Sequence, residues 1–218
     1  MTSSAFAGVR TASSPNGSTP RAPAVEPAPA RGTVEPAPAP VVDERAPACG
    51  VEPARSAVAS FDSTRFRAVL GHFATGVVAI TAVDPVDGVP TGLAANSFTS
   101  VSLDPPLVAF CVAHTSTTWP TLRVARRLCV NVLGAEQLGI CKQFATKGAD
   151  KFCGVDWGLS PAGAPVLDDA LAWVECGIEA EYEAGDHVIV LCQVHDLGHR
   201  QGPAPLVFYR GGYGSFAG

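Results

Sequence analysis

The segment VVAITAVDPVDGVPTGLAA, residues 77–95, decides the fold class. Residues 77–83 are β-branched or small and apolar, a composition that favours a strand over a helix. Asp84–Gly88 combines Asp, Pro and Gly, which are the residues of tight turns, and residues 89–95 return to an apolar run. The segment therefore predicts two short strands joined by a turn.

Further apolar runs predict more strands than helices. The strand-like runs are 107–113, 128–133, 173–183, 187–194 and 205–209. One amphipathic helix precedes them, with apolar residues at helical spacing: Phe66, Val69, Leu70 and Phe73. Ser60, Asp62 or Ser63 can cap it, and short helices are expected at 116–126 and 135–145. Many strands without βα alternation predict a mainly β fold, a closed or nearly closed antiparallel barrel.

Composition changes sharply near residue 56. Residues 1–55 hold 10 of the 19 Pro residues and repeat Val-Glu-Pro-Ala at 25–28, 34–37 and 51–54. Such a segment cannot bury enough apolar surface to offset its ordering entropy, so we expect a disordered tail at 1–55 and a domain at 56–218. The tail has five acidic residues, which favours a linker or a misassigned start over a transit peptide. It also lacks the apolar run of a secretion signal.

Charge and cysteine usage exclude several function classes. The domain carries 10 basic and 15 acidic residues, which argues against nucleic-acid binding, and no apolar run is long enough for a membrane span. The seven Cys residues show no CxxC spacing, which disfavours disulfides or zinc and fits the cytoplasm. The five His residues lack metal-ligand spacing, and His195 and His199 are expected after a strand, so no metal is expected.

The segment TGLAANSFTSVSLDPP, residues 91–106, is rich in small hydroxyl side chains. In an extended chain Asn96, Phe98, Ser100 and Ser102 point to one face, which places an apolar ring beside small donors. A flavin ring needs such a wall with donors at its edge. The polar outer face of an edge strand has the same pattern, and the residues alone leave both interpretations open.

Three further segments combine reactive side chains with turns. HTSTTW, residues 114–119, places hydroxyls before a helix, where either an anion site or ordinary N-capping would use them. Gly185-Asp186-His187 is typical of a hairpin turn, followed by a His that could meet a ligand. FYRGGY, residues 208–213, could clamp a nucleotide or form a C-terminal strand with a turn.

In their order along the chain, these segments resemble one family. They are FRAVLGHFATGVVAIT (66–81), GLAANSFTSVSLDPPLVAFCV (92–112), STTW (116–119), GDH (185–187) and PLVFYRGGY (205–213). Together they resemble the flavin reductase-like, FMN-binding split-barrel family, and within it the reductase components of two-component flavin-dependent monooxygenases. The resemblance implies a six-stranded antiparallel Greek-key split barrel with short peripheral helices, usually a homodimer.

The resemblance also implies which residues hold flavin and nucleotide. Those at the flavin ring and ribityl phosphate are Thr75, Gly76, Val77, Val78, Ala79, Ile80, Thr81, Asn96, Ser97, Phe98, Thr99, Ser100, Val101 and Ser102. Those near the phosphate or pyrophosphate are Ser116, Thr117, Thr118 and Trp119. A loop that reaches towards flavin in relatives contains Lys147, Asp150, Lys151 and Phe152. A C-terminal nucleotide-contacting segment contains Tyr209, Arg210, Gly211 and Tyr213. His187 is placed beside flavin and nicotinamide as the catalytic residue.

The implied activity is reduction of FAD or FMN by NADH or NADPH, with hydride passing from nicotinamide C4 to flavin N5. His187 would place the nicotinamide or stabilise charge on the reduced flavin, which would then diffuse to a separate oxygenase. NADH is favoured over NADPH because only Arg210 is well placed for a ribose phosphate. A non-catalytic flavin carrier and a structural β-barrel are the alternatives, and NADH turnover with added flavin separates them.

Overall fold

The computed structural model describes residues 62–202 and 204–216. This part of the chain contains three α-helices, α1 (Ser63–Leu70), α2 (Trp119–Arg123) and α3 (Leu138–Ala145), and a 3₁₀ turn at Ala135–Gln137 before α3. The tail expected at 1–55 lies outside the described residues.

Most of the described chain is strand. The strands are β1 (Thr75–Gly76), β2 (Val78–Val83), β3 (Pro90–Ala95), β4 (Thr99–Leu103), β5 (Pro106–Ala113), β6 (Leu128–Val132), β7 (Trp157–Leu159), β8 (Pro165–Leu167), β9 (Ala172–Ala184), β10 (His187–His199), β11 (Leu206–Tyr209) and β12 (Gly212–Ser215). Every run predicted as a strand contains one, and the fold is mainly antiparallel β as predicted.

Seven strands form one antiparallel sheet in the order β3-β2-β6-β9-β10-β5-β4. Its two edge strands, β3 and β4, are consecutive in the chain and are separated only by residues 96–98. The chain therefore closes the sheet at this corner, and β3 with β4 counts as one bent strand of a six-stranded barrel. The predicted split barrel is confirmed. A sheet β1-β11-β12 and a hairpin β7-β8 flank it.

The turn between β2 and β3 uses the side chains that predicted it. The carboxylates of Asp84 and Asp87 each accept a hydrogen bond at 2.8 Å from the main-chain amide two residues further along. Gly88 has φ 75°, a conformation that favours glycine. These local bonds begin the register in which Val83 pairs with Pro90.

Two apolar cores lie on opposite faces of β2 and the residue before it. Val78, Ile80 and Ala82 enter the barrel interior, whereas Val77 and Ala79 belong to a second core beneath α3. The second core is completed by Leu133, Cys141, Phe144, Leu167, Ala170 and Leu206. Burial on both faces explains why this stretch is a continuous apolar run rather than an alternating one.

A buried polar cluster ties the β7–β8 hairpin to the barrel, and we name it the hairpin anchor. It consists of Thr81, Asn131, Ser160 and Glu175, none of which is more than 6% exposed. Thr81 and Asn131 bond main-chain groups of β8, and the Ser160 hydroxyl donates to the Glu175 carboxylate. The hairpin is thus held by side chains as well as by its own ladder.

Helix α1 forms where the spacing predicts it, but its apolar face is not buried. Asp62 caps it by accepting from the Arg65 amide at 2.7 Å. No residue of the helix is buried, and Val69 and Leu70 are 63% and 54% exposed. The amphipathic pattern therefore predicted the helix correctly, and this part of the chain leaves its apolar side chains exposed.

Other element boundaries also differ from the prediction. Helix α2 has only five residues, Trp119–Arg123, and is shorter at both ends than the helix expected at 116–126. Strand β10 runs on to His199, so His195 and His199 lie on a strand rather than after one.

Candidate functional site

A cavity of about 340 Å³ opens beside the corner that closes the barrel. It is lined by Leu93, Ala94, Ala95, Asn96, Ser97, Cys111, Val112, Ala113, Thr115, Ser116, Thr117, Thr118, Phe144, Ala145, Thr146, Lys147, Lys151 and His187. Eight residues implied by the family resemblance meet in this main cavity: Asn96, Ser97, Ser116, Thr117, Thr118, Lys147, Lys151 and His187.

Ser97 fixes the corner of the barrel. Its Oγ accepts a hydrogen bond from the Cys111 amide at 2.9 Å and donates to the Cys111 carbonyl at 3.1 Å. The two bonds fasten the corner to β5, so this hydroxyl is already engaged by the main chain. Asn96, one residue earlier, is exposed at the cavity.

The expectation that Asn96, Phe98, Ser100 and Ser102 share one extended face is wrong. The chain bends at residues 96–98, because closing the barrel requires the strand to change direction. Phe98 packs against the barrel core. The following residues, Thr99, Ser100, Val101 and Ser102, form the edge strand β4 and do not line the main cavity.

The segment 115–118 lines the cavity with hydroxyls. Ser116 Oγ accepts from the Trp119 amide at 3.2 Å, so the main chain already engages this hydroxyl, although the N-cap of α2 is Thr118 and makes no side-chain bond. Within the described residues, no side-chain hydrogen bond engages the hydroxyls of Thr115, Thr117 and Thr118, which we name the rim hydroxyls. These three remain available to a ligand.

The C-terminal end of α3 brings two lysines to the cavity. Lys147 is exposed, whereas Lys151 is only 6% exposed. The Lys151 ammonium donates to the main-chain carbonyls of Gln143 and Thr146 at the end of the helix. Its burial lowers the pKa of this ammonium.

Phe144 supplies part of an apolar wall, and a glycine lets it do so. A Cβ at Gly92 would lie 2.6 Å from Phe144 Cε1 and 2.7 Å from the Ile80 carbonyl oxygen. The ring therefore packs directly on β3, next to Leu93 and Ala94. This wall offers a ligand a flat apolar surface.

His187 begins β10 and lines the cavity. Its Nδ1 lies 2.7 Å from Oδ1 of Asp186. The hydrogen bond from His187, together with the charge of its ring, lowers the pKa of the Asp186 carboxyl. Because Nδ1 is engaged, Nε2 is the ring nitrogen left for a ligand. The Asp186 carbonyl also accepts from the His114 amide at 3.1 Å.

The titratable lysine and histidine side chains of the cavity are Lys147, Lys151 and His187, and no carboxylate of the described residues lines it. The domain as a whole has a negative net charge, so the basic lining of the cavity is opposite in charge to the domain. Together with the rim hydroxyls it suits an anionic group, and the apolar wall suits a flat ring.

A smaller cavity of about 150 Å³ adjoins the main one and shares Ala94–Asn96 and Ala145 with it. Tyr213, a residue implied by the resemblance, lines this second cavity beside Val77. Tyr213 Oη lies 3.6 Å from Cys141 Sγ. This hydrogen bond, followed by burial, raises the pKa of Tyr213 to about 12.

Several residues implied by the resemblance lie in the cores instead. Val78–Thr81 are fully or almost fully buried in β2. Trp119 packs edge-on against Phe110, with ring centroids 5.8 Å apart. The Phe152 ring lies between those of Phe144 and Trp157, with ring centroids 5.3 and 5.4 Å apart. Asp150 accepts from the Phe152 amide at 3.0 Å and does not line the main cavity.

The C-terminal segment also lies outside the main cavity. Thr75 and Gly76 form β1 and pair with β11. Arg210 and Gly211, with φ 50° and 79°, make the two-residue turn between β11 and β12, and this turn places Arg210 at the tip of the hairpin. The Arg210 amide donates to the Gly71 carbonyl at 2.9 Å. The rings of Tyr209 and His72 pack edge-on, with centroids 6.3 Å apart.

Sequence reasoning missed the apolar wall. Cys111–Ala113 and Phe144–Thr146 come from β5 and from the end of α3, and their residue types carry little chemical signal. Only the fold brings them to the site. Thr115 belongs to the segment 114–119, which its hydroxyls mark as a candidate anion site, although the family resemblance did not include it.

The described residues contain no metal site or membrane span. No group of three or more His, Cys, Asp or Glu side chains in residues 62–202 and 204–216 could hold a metal ion. The helices of the same ranges are all too short or too polar to cross a membrane.

Known proteins share this sequence pattern and fold. A family profile described as the flavin reductase like domain matches residues 70–217. A flavin reductase of Pseudomonas putida is 51% identical over 166 residues, which cover 76% of this chain and 95% of that protein. The reductase subunit HsaB of a flavin-dependent monooxygenase from Rhodococcus jostii (strain RHA1) is 45% identical over 157 residues, or 72% of this chain and 80% of that protein.

A solved structure agrees with these sequence matches. The Streptomyces globisporus C-1027 NADH:FAD oxidoreductase SgcE6, in complex with NAD and FAD fragments, superposes with a TM-score of 0.67 at 38% identity. The match covers 72% of this chain and 93% of that one.

Proposed function

This chain belongs to the flavin reductase-like domain family, and we propose that it is the reductase component of a two-component flavin-dependent monooxygenase. It reduces FAD or FMN with a nicotinamide nucleotide, and the reduced flavin diffuses to a separate oxygenase. Flavin, when bound, supplies the hydride acceptor at N5. The protein contributes by holding both reactants in contact and by shaping the charge around them.

The observation that carries this proposal is the basic lining of the main cavity in an acidic domain. FAD and FMN both carry phosphate, and Lys147 with the rim hydroxyls offers an ammonium and three donors for such a group. Lys147 is exposed, which leaves its ammonium hydrated and mobile when no ligand is present. A loosely held flavin fits a diffusible product better than a permanently bound one.

The apolar wall would receive the flavin ring. Leu93, Ala94 and Phe144 line the same cavity as solvent-exposed Lys147. Because Leu93 and Phe144 are already buried by the protein, a ring seated there would gain mainly van der Waals contact with a preformed apolar surface. Asn96 is exposed at the same wall and can offer its amide to the polar edge of the ring.

His187 would act where flavin and nicotinamide meet. Asp186 engages Nδ1, so Nε2 of a neutral imidazole would accept a hydrogen bond from a ligand, and Nε2 of an imidazolium would donate to a ligand carbonyl or to negative charge on the reduced flavin. The Asp186 carboxylate is ionised at neutral pH, as an ordinary aspartate is, and accepts the bond from Nδ1. The pair therefore keeps the imidazole in one orientation.

We infer that NADH is the preferred donor. The name of SgcE6, an NADH:FAD oxidoreductase, supports this choice. Arg210, the residue considered for a ribose phosphate, lies at a hairpin tip bonded to Gly71 and lines neither the main nor the smaller cavity. An NADPH site would need a cation at the adenosine end.

We also infer that the protein is a homodimer. The end of α1 and the turn that follows it expose Val69, Leu70 and Phe73 by 63%, 54% and 76%. Three large exposed apolar side chains within five residues are costly in water and favour burial against another surface. A second copy of the chain would provide that surface, and size-exclusion chromatography with light scattering measures its presence.

The direct test is steady-state oxidation of NADH and of NADPH with FAD, FMN or no flavin added. We expect fast NADH oxidation that requires added flavin and saturates in both substrates. Tight flavin binding without NADH oxidation would support the carrier function instead. Absence of both binding and oxidation would leave a structural barrel.

A further inference from the structure

The buried lysine of the site makes its contacts with the main chain. Lys151 is 6% exposed, and its ammonium donates to the Gln143 carbonyl at 3.4 Å and, more closely, to the Thr146 carbonyl. Thr146 is the C-cap of α3. The last carbonyls of a helix lack partners within the helix and carry the negative end of its dipole, so a buried cation there stabilises the end of α3.

A second side chain ties the same loop in the opposite direction. The Gln143 amide nitrogen donates to the carbonyls of Asp150, Lys151 and Cys153 at 3.0, 3.1 and 3.0 Å. Lys151 thus reaches from the loop to the helix, and Gln143 reaches from the helix to the loop. The two side chains form a reciprocal clamp that closes residues 146–151 into one compact turn.

The compact turn carries the exposed cation of the site. Lys147 follows Thr146 directly and lines the main cavity together with it. An exposed lysine has many rotamers, so its place at the cavity depends on where the main chain puts its Cα. The clamp sets that position, while Lys151 itself has two of its three N–H donors committed to carbonyls.

We propose that Lys151 is a positioning residue for flavin binding, which holds the end of α3 in the shape that brings Lys147 to the main cavity. The proposal rests on the proposed function, since it assigns Lys147 to the anionic end of the flavin. It assigns the buried lysine to the protein main chain and the exposed lysine to the ligand.

A double-mutant cycle tests this division of roles. The variants are Lys151→Met, Lys147→Met and the double variant, with Lys142→Met as the control, because Lys142 is exposed on the same helix and does not line the main cavity. The readouts are the dissociation constant for oxidised flavin from fluorescence quenching, kcat and KM for flavin and NADH, and the melting temperature.

We expect each single variant to weaken flavin binding about tenfold and to change kcat by less than about twofold, since the contacts act on binding rather than on hydride transfer. In the double variant the loss should stay within about twofold of the larger single loss, because Lys151 acts through Lys147. Lys151→Arg keeps donors and charge and should recover most of the affinity.

Two results would overturn the positioning role. One is a Lys151→Met protein that binds flavin as tightly as the wild type. The other is a double variant whose losses multiply to about a hundredfold, since this would show that Lys151 contacts the flavin independently of Lys147. A wild type that binds flavin but does not oxidise NADH would overturn the reductase function alone, because the binding cycle does not depend on turnover.

A second variant keeps the test valid if Lys151→Met does not fold. Gln143→Met removes the other half of the clamp and leaves Lys151 in place. We expect it to weaken flavin binding in the same direction and to show the same non-additivity with Lys147→Met. Unchanged binding in this variant, at an unchanged melting temperature, would contradict the clamp.

Discussion

The hairpin anchor and the rim hydroxyls are both built from small polar side chains, but they differ in what those side chains contact. In the anchor, Asn131 donates to Thr81 Oγ1 at 3.0 Å and accepts from the Leu167 amide at 2.8 Å. At the rim, the hydroxyls of Thr115, Thr117 and Thr118 have no side-chain hydrogen bond within the described residues. Both regions appear in the sequence as polar residues next to apolar runs.

The difference teaches how polar residues divide between stability and function in this barrel. A buried group that has found protein partners is costly to remove, because its partners are left unpaired in a site without water. A polar group that faces a cavity without a protein partner costs little to remove, and its loss is felt by the ligand. Matched substitutions in the two regions should therefore affect different measurements.

The largest effect is expected from Asn131→Leu in the anchor. Asn131 is fully buried, and its loss removes the side-chain partners of the Leu167 amide and the Ala79 carbonyl. We expect the free energy of unfolding to fall by about 3 kcal/mol, measured by urea denaturation. The matched control is Asn96→Leu at the cavity. This variant should change the free energy of unfolding by less than about 0.5 kcal/mol and should raise the KM for flavin. Equal losses of stability in the two variants would break the comparison.

A second prediction concerns His187, which faces the cavity although its Nδ1 is engaged by Asp186. His187→Ala should lower kcat/KM for NADH about tenfold, the effect of losing about 1.4 kcal/mol of stabilisation in the transition state. Stability should be nearly unchanged because the side chain is 44% exposed. The control is His199→Ala, an exposed residue at the far end of β10. Kinetics that match the wild type would remove His187 from the site.

Neighbouring residues of the rim provide the finest version of the comparison. Ser116 Oγ accepts from the Trp119 amide, whereas the Thr117 hydroxyl has no such bond. Ser116→Ala should lower the free energy of unfolding by about 1 kcal/mol, the usual net value of one hydrogen bond. Thr117→Ala should leave stability unchanged and weaken flavin binding. Thermal melting and flavin titration of both variants test this prediction. A single variant that lost both stability and flavin affinity would contradict it.

The fold was largely predictable from local patterns. The turn at Asp84–Gly88 and the apolar runs around it are set by neighbouring residues, so their structure follows from the sequence. The bend at 96–98 was not predictable in this way, because it results from closing the sheet between strands distant along the chain. The exposure of α1 was not predictable for a related reason: spacing predicts an apolar face but not what covers it.

The site was only partly predictable. Hydroxyl-rich and basic residues could be assigned from their chemistry, and Thr117, Lys147 and His187 do meet at one cavity. The wall formed by Phe144 was missed because phenylalanine on a helix is most often a core residue. Its approach to β3 depends on Gly92, a residue that carries no chemical signal of its own. The position of this wall therefore depends on long-range packing, which local sequence patterns do not predict.

The smallest effect is expected at Tyr213, whose hydroxyl is engaged by the Cys141 thiol as the anchor groups are by their partners. Its pKa is raised from 10.0 to about 12, chiefly by this hydrogen bond. Between these two values the folded protein holds a proton that the unfolded chain releases. The stability contributed by this linkage is thus complete below pH 10 and is lost as the pH rises through 12. The tyrosinate absorbance of the wild type minus that of Tyr213→Phe isolates this titration. In a Cys141→Ala background the midpoint should move down towards 10.0, and a midpoint that did not move would show that the thiol is not the cause.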